Sequence, residues 1–182
     1  MSLAAGLGGL WLTDEYDGES APYSGTISVS SYGGVASVLL GGSLAPTLVL
    51  GGGLHFFAGI STSYTDEYTD RYSPDVDYSD EGDLDAETAT FLVAFAQIFF
   101  SERDSFYLRP GVGIGRESSS EDEHGGFLAA LGLGYDFALS GDRWWLGPTA
   151  QLVVLTGSYD DADYSGSMTL WSASAGLGVT LH

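Results

Sequence analysis

Hydrophobic residues alternate with small or polar residues along most of this 182-residue chain. The clearest run is Trp171–Leu181, where apolar residues occupy every second position and Ser, Gly and Thr lie between them. Five further segments repeat the pattern: Leu3–Leu12, Leu48–Phe57, Tyr107–Gly115, Phe127–Phe137 and Leu146–Val154. A period of two predicts β-strands, because successive side chains of a strand point to opposite faces. Two less regular segments, at about 25–43 and 88–100, bring the prediction to eight strands.

The segments between the predicted strands alternate between short and long. Short turns are expected at Ala45-Pro46 and at about 102–104 and 140–142, and longer loops at about 13–24, 61–87, 116–125 and 157–167. An even number of strands of about ten residues, joined by short turns at one end and long loops at the other, is typical of an outer-membrane barrel. The sequence therefore predicts an all-β fold in a single domain, residues 1–182. We expect an eight-stranded antiparallel up-and-down transmembrane β-barrel with four long acidic loops at one end and short turns at the other.

The two faces of the predicted strands separate a membrane barrel from a soluble one. A soluble barrel of the lipocalin kind places its large apolar side chains inside and its charges outside. Here the apolar face of the six regular strands carries no charged residue, and the opposite face is mostly small or polar. Because a charge facing lipid costs about 2–4 kcal/mol near the bilayer midplane, we interpret the apolar face as lipid-facing. The soluble barrel stays the alternative, and a transmembrane helix at 33–60 is disfavoured by its glycines and Pro46.

The chain combines a strongly negative net charge with a high content of hydrophobic residues. The chain has 27 Gly, no Cys, and 25 Asp and Glu against 5 Lys and Arg, giving a net charge of −20, yet 44% of its residues are hydrophobic. Most of the acids fall in four patches, at 14–19, 66–87, 117–123 and 160–163, all in or near predicted loops. Such a charge excludes nucleic acid as a partner, because phosphates would be repelled. The acidic patches are therefore expected at the rim of one end of the barrel. The outer wall of the barrel is expected to contact the lipid bilayer.

Aromatic residues are expected at the two membrane interfaces. Trp144 and Trp145 follow a predicted short turn, and Trp11 and Trp171 lie toward the long loops. Such rings favour the boundary between lipid and water. Because the first and last strands must pair to close a barrel, we expect Trp11 and Trp171 to lie close together.

A small polar cluster is predicted inside the barrel. Arg109 and Asp136 are the charged residues on the inward face of the regular strands, and Gln97 of the fourth strand is expected beside them. An unpaired charge in a narrow barrel would be costly, so we expect the three side chains to be hydrogen-bonded. A structural role is the favoured interpretation, and a proton or ion pathway is the alternative.

The sequence resembles small bacterial outer-membrane β-barrel proteins of the eight-stranded kind, such as the transmembrane domain of outer-membrane protein A. Four segments carry the likeness: Leu44–Gly53, Phe106–Gly115, Leu131–Asp136 and Gly176–His182. The resemblance implies a location in the bacterial outer membrane, at the cell surface. Proteins of this kind usually end in Phe or Trp, whereas this chain ends in Leu181-His182.

Neither catalysis nor metal binding has a specific motif in this sequence. His124 lies near Glu121, Asp122 and Glu123 in a predicted loop, but composition alone produces such runs, and no enzyme is expected. Carboxylates suit Ca²⁺, although the segment that begins at Asp75 departs from the EF-hand pattern. No cofactor is therefore expected, and Ca²⁺ stays a weaker hypothesis with the candidate ligands Asp80, Asp83, Asp85 and Glu87.

Two functions of different classes remain open. In the first, the barrel is a structural or interaction module that displays acidic, tyrosine-rich extracellular loops to a protein partner, a surface or a cation, since Tyr offers rigid contact area. In the second, it carries small apolar ligands laterally through the barrel wall. The carrier predicts an apolar pocket under the loops, for which Phe57, Phe91 and Phe95 are candidate lining residues.

Overall fold

The computed structural model describes residues 1–18, 23–70, 73–84, 87–100, 105–118, 123–139, 144–160 and 164–181. These residues form ten strands: β1 Ser2–Gly18, β2 Tyr23–Ala45, β3 Leu48–Asp70, β4 Ser73–Leu84, β5 Thr88–Phe99, β6 Phe106–Ser118, β7 Glu123–Tyr135, β8 Phe137–Ala138, β9 Trp144–Asp160 and β10 Tyr164–Leu181. Within the described ranges, no helix has the length and apolar composition needed to cross a membrane.

Eight of the strands form a closed antiparallel ring. The order around the ring is β1, β2, β3, β5, β6, β7, β9 and β10, and β10 pairs with β1 over Thr180 to Tyr164. The remaining two strands are additions: β4 pairs with β3, and the two-residue β8 pairs with β9. The all-β antiparallel fold with a ring of eight strands is the one that the period of two predicts.

The segments predicted as long loops are largely strand, so that part of the prediction is wrong. Strand β3 continues to Asp70 and pairs with β4, which makes most of the predicted loop 61–87 a β-hairpin. The other three predicted loops are shortened in the same way, because the ring strands extend into them from both sides. Acidic residues suggested loops, but the Ser, Thr and Tyr between them suit a hydrogen-bonded strand ladder.

A β-bulge lies where β3 changes its partner on one side. Tyr32 pairs with Ser61 and Gly33 pairs with Gly59, which leaves Ile60 as the extra residue of β3. Strand β3 pairs with β5 only as far as Ala58, and from Thr62 onward it pairs with β4. On its other side β3 stays paired with β2 as far as Asp70, so the bulge, which locally increases the twist of a strand, coincides with the change from β5 to β4.

The outer surface of the ring is apolar. Large hydrophobic side chains on the outward face are highly exposed, with Phe127 at 78% and Ile60 at 82% of their surface. Soluble monomers rarely expose so continuous an apolar surface, whereas a lipid-facing band requires one. The faces assigned from the sequence for the six regular strands agree with this exposure.

The tryptophans occupy both ends of the outer surface. Trp11 lies directly opposite Trp171 in the β1–β10 register, so the predicted proximity of these two residues is confirmed. The Trp11 ring covers Gly9, where a Cβ would lie 2.7 Å from the indole. At the other end Trp144 is exposed, but Trp145 is half-buried and shares the alternation of the inward Gly147. Adjacent residues of a strand point to opposite faces, so Trp144 and Trp145 cannot both face lipid.

The lumen is filled by an apolar layer in its loop-end half. This apolar layer consists of buried side chains from several strands: Leu10, Leu12, Phe57, Phe91, Leu128, Leu155, Met168 and Leu170. Gly115 makes room for it, because a Cβ there would lie 2.6 Å from Phe91 and 3.1 Å from Leu155. An eight-stranded barrel is just wide enough for side chains to fill, and here the filling divides the lumen into two polar regions.

Candidate functional site

The first polar region, which we call the lower cavity, lies between the apolar layer and the short-turn end. Arg109 donates two hydrogen bonds to Gln97 Oε1, from Nε at 3.0 Å and from Nη2 at 2.6 Å. Its guanidinium carbon also lies 4.8 Å from the ring centre of Tyr107 and 5.4 Å from that of Phe95. Arg109 is thus held by hydrogen bonds and by two aromatic faces.

The third predicted member of this cluster is not hydrogen-bonded to the others. Asp136 is buried and attracts Arg109 electrostatically, but its Oδ2 atom has no hydrogen-bond partner among the described residues. Asp136 lies beyond the end of β7, whereas Arg109 pairs with Gly132 inside that strand. The structure therefore brings Gln97 and Arg109 together and leaves Asp136 at a greater distance.

A pair that the sequence analysis did not identify also lines the lower cavity. Ser37 Oγ and His55 Nδ1 are 2.7 Å apart and buried. Together with Arg109 and Gln151 they border a cavity of about 20 Å³, whose other walls are small or aliphatic residues such as Gly6, Gly176 and Leu39. The lower cavity therefore has a few polar side chains on a mainly apolar lining and has room for about one water molecule.

The apolar pocket expected for a ligand carrier is filled by protein. Phe57, Phe91 and Phe95 are all buried and belong to the cluster of buried hydrophobic side chains in the lumen. Their rings occupy the space that a small apolar ligand would need. The described residues therefore give the carrier hypothesis no support.

The second polar region closes the lumen at its loop end, and we call it the mouth cluster: Asp14, Glu87, Glu117 and His124. His124 Nδ1 lies 3.4 Å from Glu117 Oε2, and His124 Nε2 lies 3.9 Å from Asp14 Oδ2. Glu87 is hydrogen-bonded to Glu117. Four titratable side chains from β1, β6, β7 and the residue before β5 thus meet above the apolar layer.

Glu87 is the most enclosed member of the mouth cluster. It precedes the first residue of β5 and exposes 2% of its surface, and its carbonyl oxygen accepts a hydrogen bond from Gly59 N at 2.7 Å. Burial and the neighbouring Glu117 carboxylate raise the pKa of Glu87 to about 8. Glu87 is therefore protonated at neutral pH, which allows it to donate a hydrogen bond to Glu117.

The β3–β4 hairpin forms a separate surface of acids and tyrosines. Tyr68 stacks on Tyr78 at 5.1 Å between ring centres and meets Tyr23 edge-on at 5.7 Å. Other tyrosines hold acids: Tyr64 donates to Asp80 at 3.2 Å, and Tyr16 donates to Asp66 at 3.3 Å. Most of the acids whose side chains the structure describes in this segment are exposed, including Glu81 and Asp83. The hairpin therefore presents negative charge on a rigid aromatic support.

The candidate calcium ligands do not share one environment. Asp80 and Asp83 are exposed on β4, Glu87 is buried in the mouth cluster, and Asp85 lies outside the described residues. No group of three or more Asp, Glu, His or Cys suited to a metal ion occurs in the part of the chain that the structure describes. Calcium binding stays a prediction, as does the expectation that the chain is not an enzyme.

Sequence reasoning missed the mouth cluster because it treated 116–125 as a loop. A signal for it was present in the alternation of side chains. Glu117 follows Gly113 and Gly115 on the inward face of β6, and His124 precedes Leu128 on the inward face of β7. Extending the period of two beyond the aromatic residues would have placed both inside the barrel.

The fold is similar to solved outer-membrane proteins. No protein-family model and no curated protein matches the sequence. The outer membrane protein OprG from Pseudomonas aeruginosa aligns over 100% of this chain and 95% of its own, with 10% identity and a TM-score of 0.55. The outer membrane protease OmpT from Escherichia coli (10% identity, 99% and 96% coverage) and Ail of Yersinia pestis (10%, 97% and 97%) align with TM-scores of 0.44 and 0.32, too low to support a shared fold. The likeness to OprG shows that this chain has the fold of a small bacterial outer-membrane β-barrel, which agrees with the location predicted from the sequence.

Proposed function

We propose that the protein is a closed outer-membrane barrel that binds a cationic partner through the acidic, tyrosine-rich surface of the β3–β4 hairpin. The observation that carries this proposal is the hairpin itself. Beyond Ala58, the last residue of β3 that pairs with β5, the strand continues through Asp70. That is about 40 Å of extended chain at about 3.3 Å per residue. A projection of this length is suited to contact with molecules outside the membrane.

The filled lumen supports an interaction role over transport. The apolar layer spans the barrel interior, and its members include Leu10, Leu155 and Leu170, which are fully buried. The same layer occupies the site where a carried apolar ligand would bind. We therefore assign function to the exposed surface of the hairpin rather than to the lumen.

The chemistry of the hairpin favours a cationic partner. Asp66, Glu67, Asp80, Glu81 and Asp83 lie on its described part, and the tyrosine contacts hold its strands in one conformation. A preorganised surface loses little side-chain entropy on binding. Negative charge steers a basic protein or peptide toward it, with an association rate that falls as salt rises.

The proposal is tested by binding of a labelled decalysine peptide to the full chain folded in phosphatidylcholine vesicles. We expect saturable binding that weakens with added salt and that a decaglutamate peptide does not reproduce. The double variant Glu81→Gln/Asp83→Asn should weaken it about tenfold, since two charge contacts of about 0.5–1 kcal/mol each are removed.

The double variant Glu15→Gln/Asp17→Asn is the matched control. It removes the same number of exposed acids from the same rim, on β1 instead of the hairpin. A smaller loss in this variant supports a site on the hairpin. Equal losses in the two variants, or no binding of decalysine, contradict the proposal.

A further inference from the structure

The mouth cluster has a feature that its internal contacts leave unexplained. Glu87 Oε2 is a buried carboxyl oxygen with no hydrogen-bond partner among the described residues, and Glu87 exposes 2% of its surface. Its other contact is with Glu117, which is itself buried. An enclosed acceptor without a donor is unfavourable, so a ligand that donates an N–H group there would be stabilised.

The composition of the mouth cluster indicates the sign of the charge that the ligand would carry. Three carboxyl groups meet a single basic side chain, His124. The arginines in the described ranges are Arg109, which lies in the lower cavity, and Arg116, which is exposed on the outward face of β6. The apolar layer separates Arg109 from the carboxyl groups at the mouth, and enclosed carboxyl groups attract a cation.

The geometry favours an organic cation over a metal ion. Glu117 and Asp14 flank the imidazole of His124, each facing one of its two nitrogens. Among the described residues, no three acids or histidines approach one point closely enough to hold a metal. Carboxyl groups on two sides of a flat nitrogen-bearing ring also match the spread N–H donors of a guanidinium group.

His124 is the most exposed member of the mouth cluster. Its side chain is 23% exposed, whereas Asp14, Glu87 and Glu117 are buried. A small cation that enters from the loop end would therefore meet the imidazole first. The apolar layer below stops it from moving farther, because an ion in an apolar medium loses its hydration without compensation.

We propose that the mouth cluster is a binding site for one guanidinium or primary ammonium group, which donates hydrogen bonds to Glu87 Oε2 and Glu117. This inference deepens the proposed function and rests on it for one source of the cation, a basic side chain of the partner. A free small cation is the other source. The shared chemistry is a single N–H-donating cation in the mouth of the barrel.

Binding is coupled to release of a proton. Glu87 is protonated at neutral pH because its pKa is about 8, and the incoming cation takes the place of that proton. The balance is one cation bound, Glu87 ionised and one proton released to solvent. Affinity should therefore rise as the pH approaches 8 and level off above it.

Calorimetry with methylguanidinium is the direct test, on the full chain folded in detergent micelles. Titration at pH 7 in two buffers with different ionisation enthalpies gives the number of protons released with each bound cation. We expect binding at ligand concentrations up to about 10 mM, with close to one proton released. Absence of binding heat in both buffers, or binding without proton release, would overturn the inference.

Variants locate the site. Glu117→Gln should weaken methylguanidinium binding about tenfold or more, because it removes a buried charge partner, and Glu87→Gln should abolish the proton release. Glu15→Gln removes one exposed charge from β1, outside the hairpin, and should leave both quantities unchanged. Each variant is first checked for the heat-dependent gel shift of a folded barrel. Folded Glu117→Gln with unchanged affinity would also overturn the inference.

Competition separates the two sources and separates this inference from the proposed function. If decalysine is displaced by methylguanidinium, the natural cation is a partner side chain, and if it is not, the site takes a free cation. The hairpin variant Glu81→Gln/Asp83→Asn should weaken decalysine binding and spare methylguanidinium. Hairpin-dependent decalysine binding without any methylguanidinium binding would leave the proposed function standing and remove the mouth site.

Discussion

The lower cavity and the mouth cluster occupy the same lumen but satisfy their polar groups differently. In the lower cavity the cation Arg109 is held by two hydrogen bonds that it donates to Gln97 Oε1 and by two aromatic rings. At the mouth, three carboxyl groups meet one histidine, and a buried oxygen of Glu87 has no donor among the described residues. In the region near the short turns, Arg109 therefore has its partners within the chain, although the buried Asp136 Oδ2 has no hydrogen-bond partner among the described residues. At the mouth, the proposed cation would supply the donor that Glu87 Oε2 lacks, and this difference would separate a structural cluster from a binding site.

Replacing the lower cation should have the largest effect on stability. Arg109→Leu removes both hydrogen bonds to Gln97 and the electrostatic partner of the buried Asp136. We expect a loss of about 3–5 kcal/mol in the free energy of unfolding, since a buried carboxyl group is left without its cation. Urea unfolding in lipid vesicles measures this loss, and heat-dependent migration on a semi-native gel checks it.

Arg116→Leu is the control for that experiment. It removes an exposed arginine from the same strand and should change the stability far less. Equal stability of the Arg109→Leu variant and the wild-type chain would contradict a structural role for the lower cavity.

Weakening the apolar layer between the two regions should have the second-largest effect on stability. Leu170→Ala opens a cavity among fully buried side chains and should cost about 2–4 kcal/mol. Leu177→Ala makes the same chemical change on the lipid-facing side of the same strand, where the side chain is exposed. Urea midpoints of the two variants give the comparison. If Leu177→Ala loses as much stability as Leu170→Ala, packing in the lumen contributes no more to stability than the lipid-facing side chains do.

The mouth should respond to pH through Glu87. Its pKa is raised from an ordinary value near 4.5 to about 8 in the folded chain, so the folded state binds one more proton than the unfolded state between these values. Stability from this group is therefore complete below about pH 4.5 and is lost as the pH rises toward 8. In Glu87→Gln this component should vanish, and the difference between wild-type and variant unfolding curves isolates it. Parallel pH profiles would show that Glu87 is not held protonated.

The smallest expected effect is the coupling between the two regions. Gln97→Ala and Glu117→Gln lie on opposite sides of the apolar layer and share no partner in the described contacts. Their losses of unfolding free energy should add to within about 0.5 kcal/mol. Repeating this double-mutant cycle in the Leu170→Ala background sharpens the test. A cavity in the apolar layer should increase the coupling energy between the two sites. A large coupling in the intact barrel would show that the two regions act as one network.

Much of the wall could be predicted from the sequence, whereas the contents of the lumen could not. Along β10 and β7 one face is apolar and the other small, so alternation alone separates lipid from interior. At Leu10-Trp11-Leu12 both faces of the strand are apolar. Alternation of apolar and polar residues therefore cannot distinguish a lipid-facing side chain from one in the apolar layer. Side chains such as Leu155 and Met168 meet only because distant strands close a ring, and a period of two carries no information on that closure.

The two clusters illustrate the same limit. Gln97 and Arg109 belong to strands joined by a short turn, so counting residues from that turn places them together. Asp14 and His124 lie on β1 and β7, which are not neighbours in the ring. They come within reach only across the width of the barrel. Sequence spacing therefore predicted the lower cavity in part and did not reveal the mouth cluster.

The apolar layer also has an electrical consequence. A bilayer holds a voltage because its hydrocarbon interior does not conduct ions. Each open pore conducts ions and lowers that voltage. In this barrel, Phe57, Phe91 and Leu155 continue that insulation across the protein, since ions lose their hydration in an apolar medium. A cell could place many copies of the chain in its outer membrane, each with its acidic hairpin, without raising the conductance of that membrane.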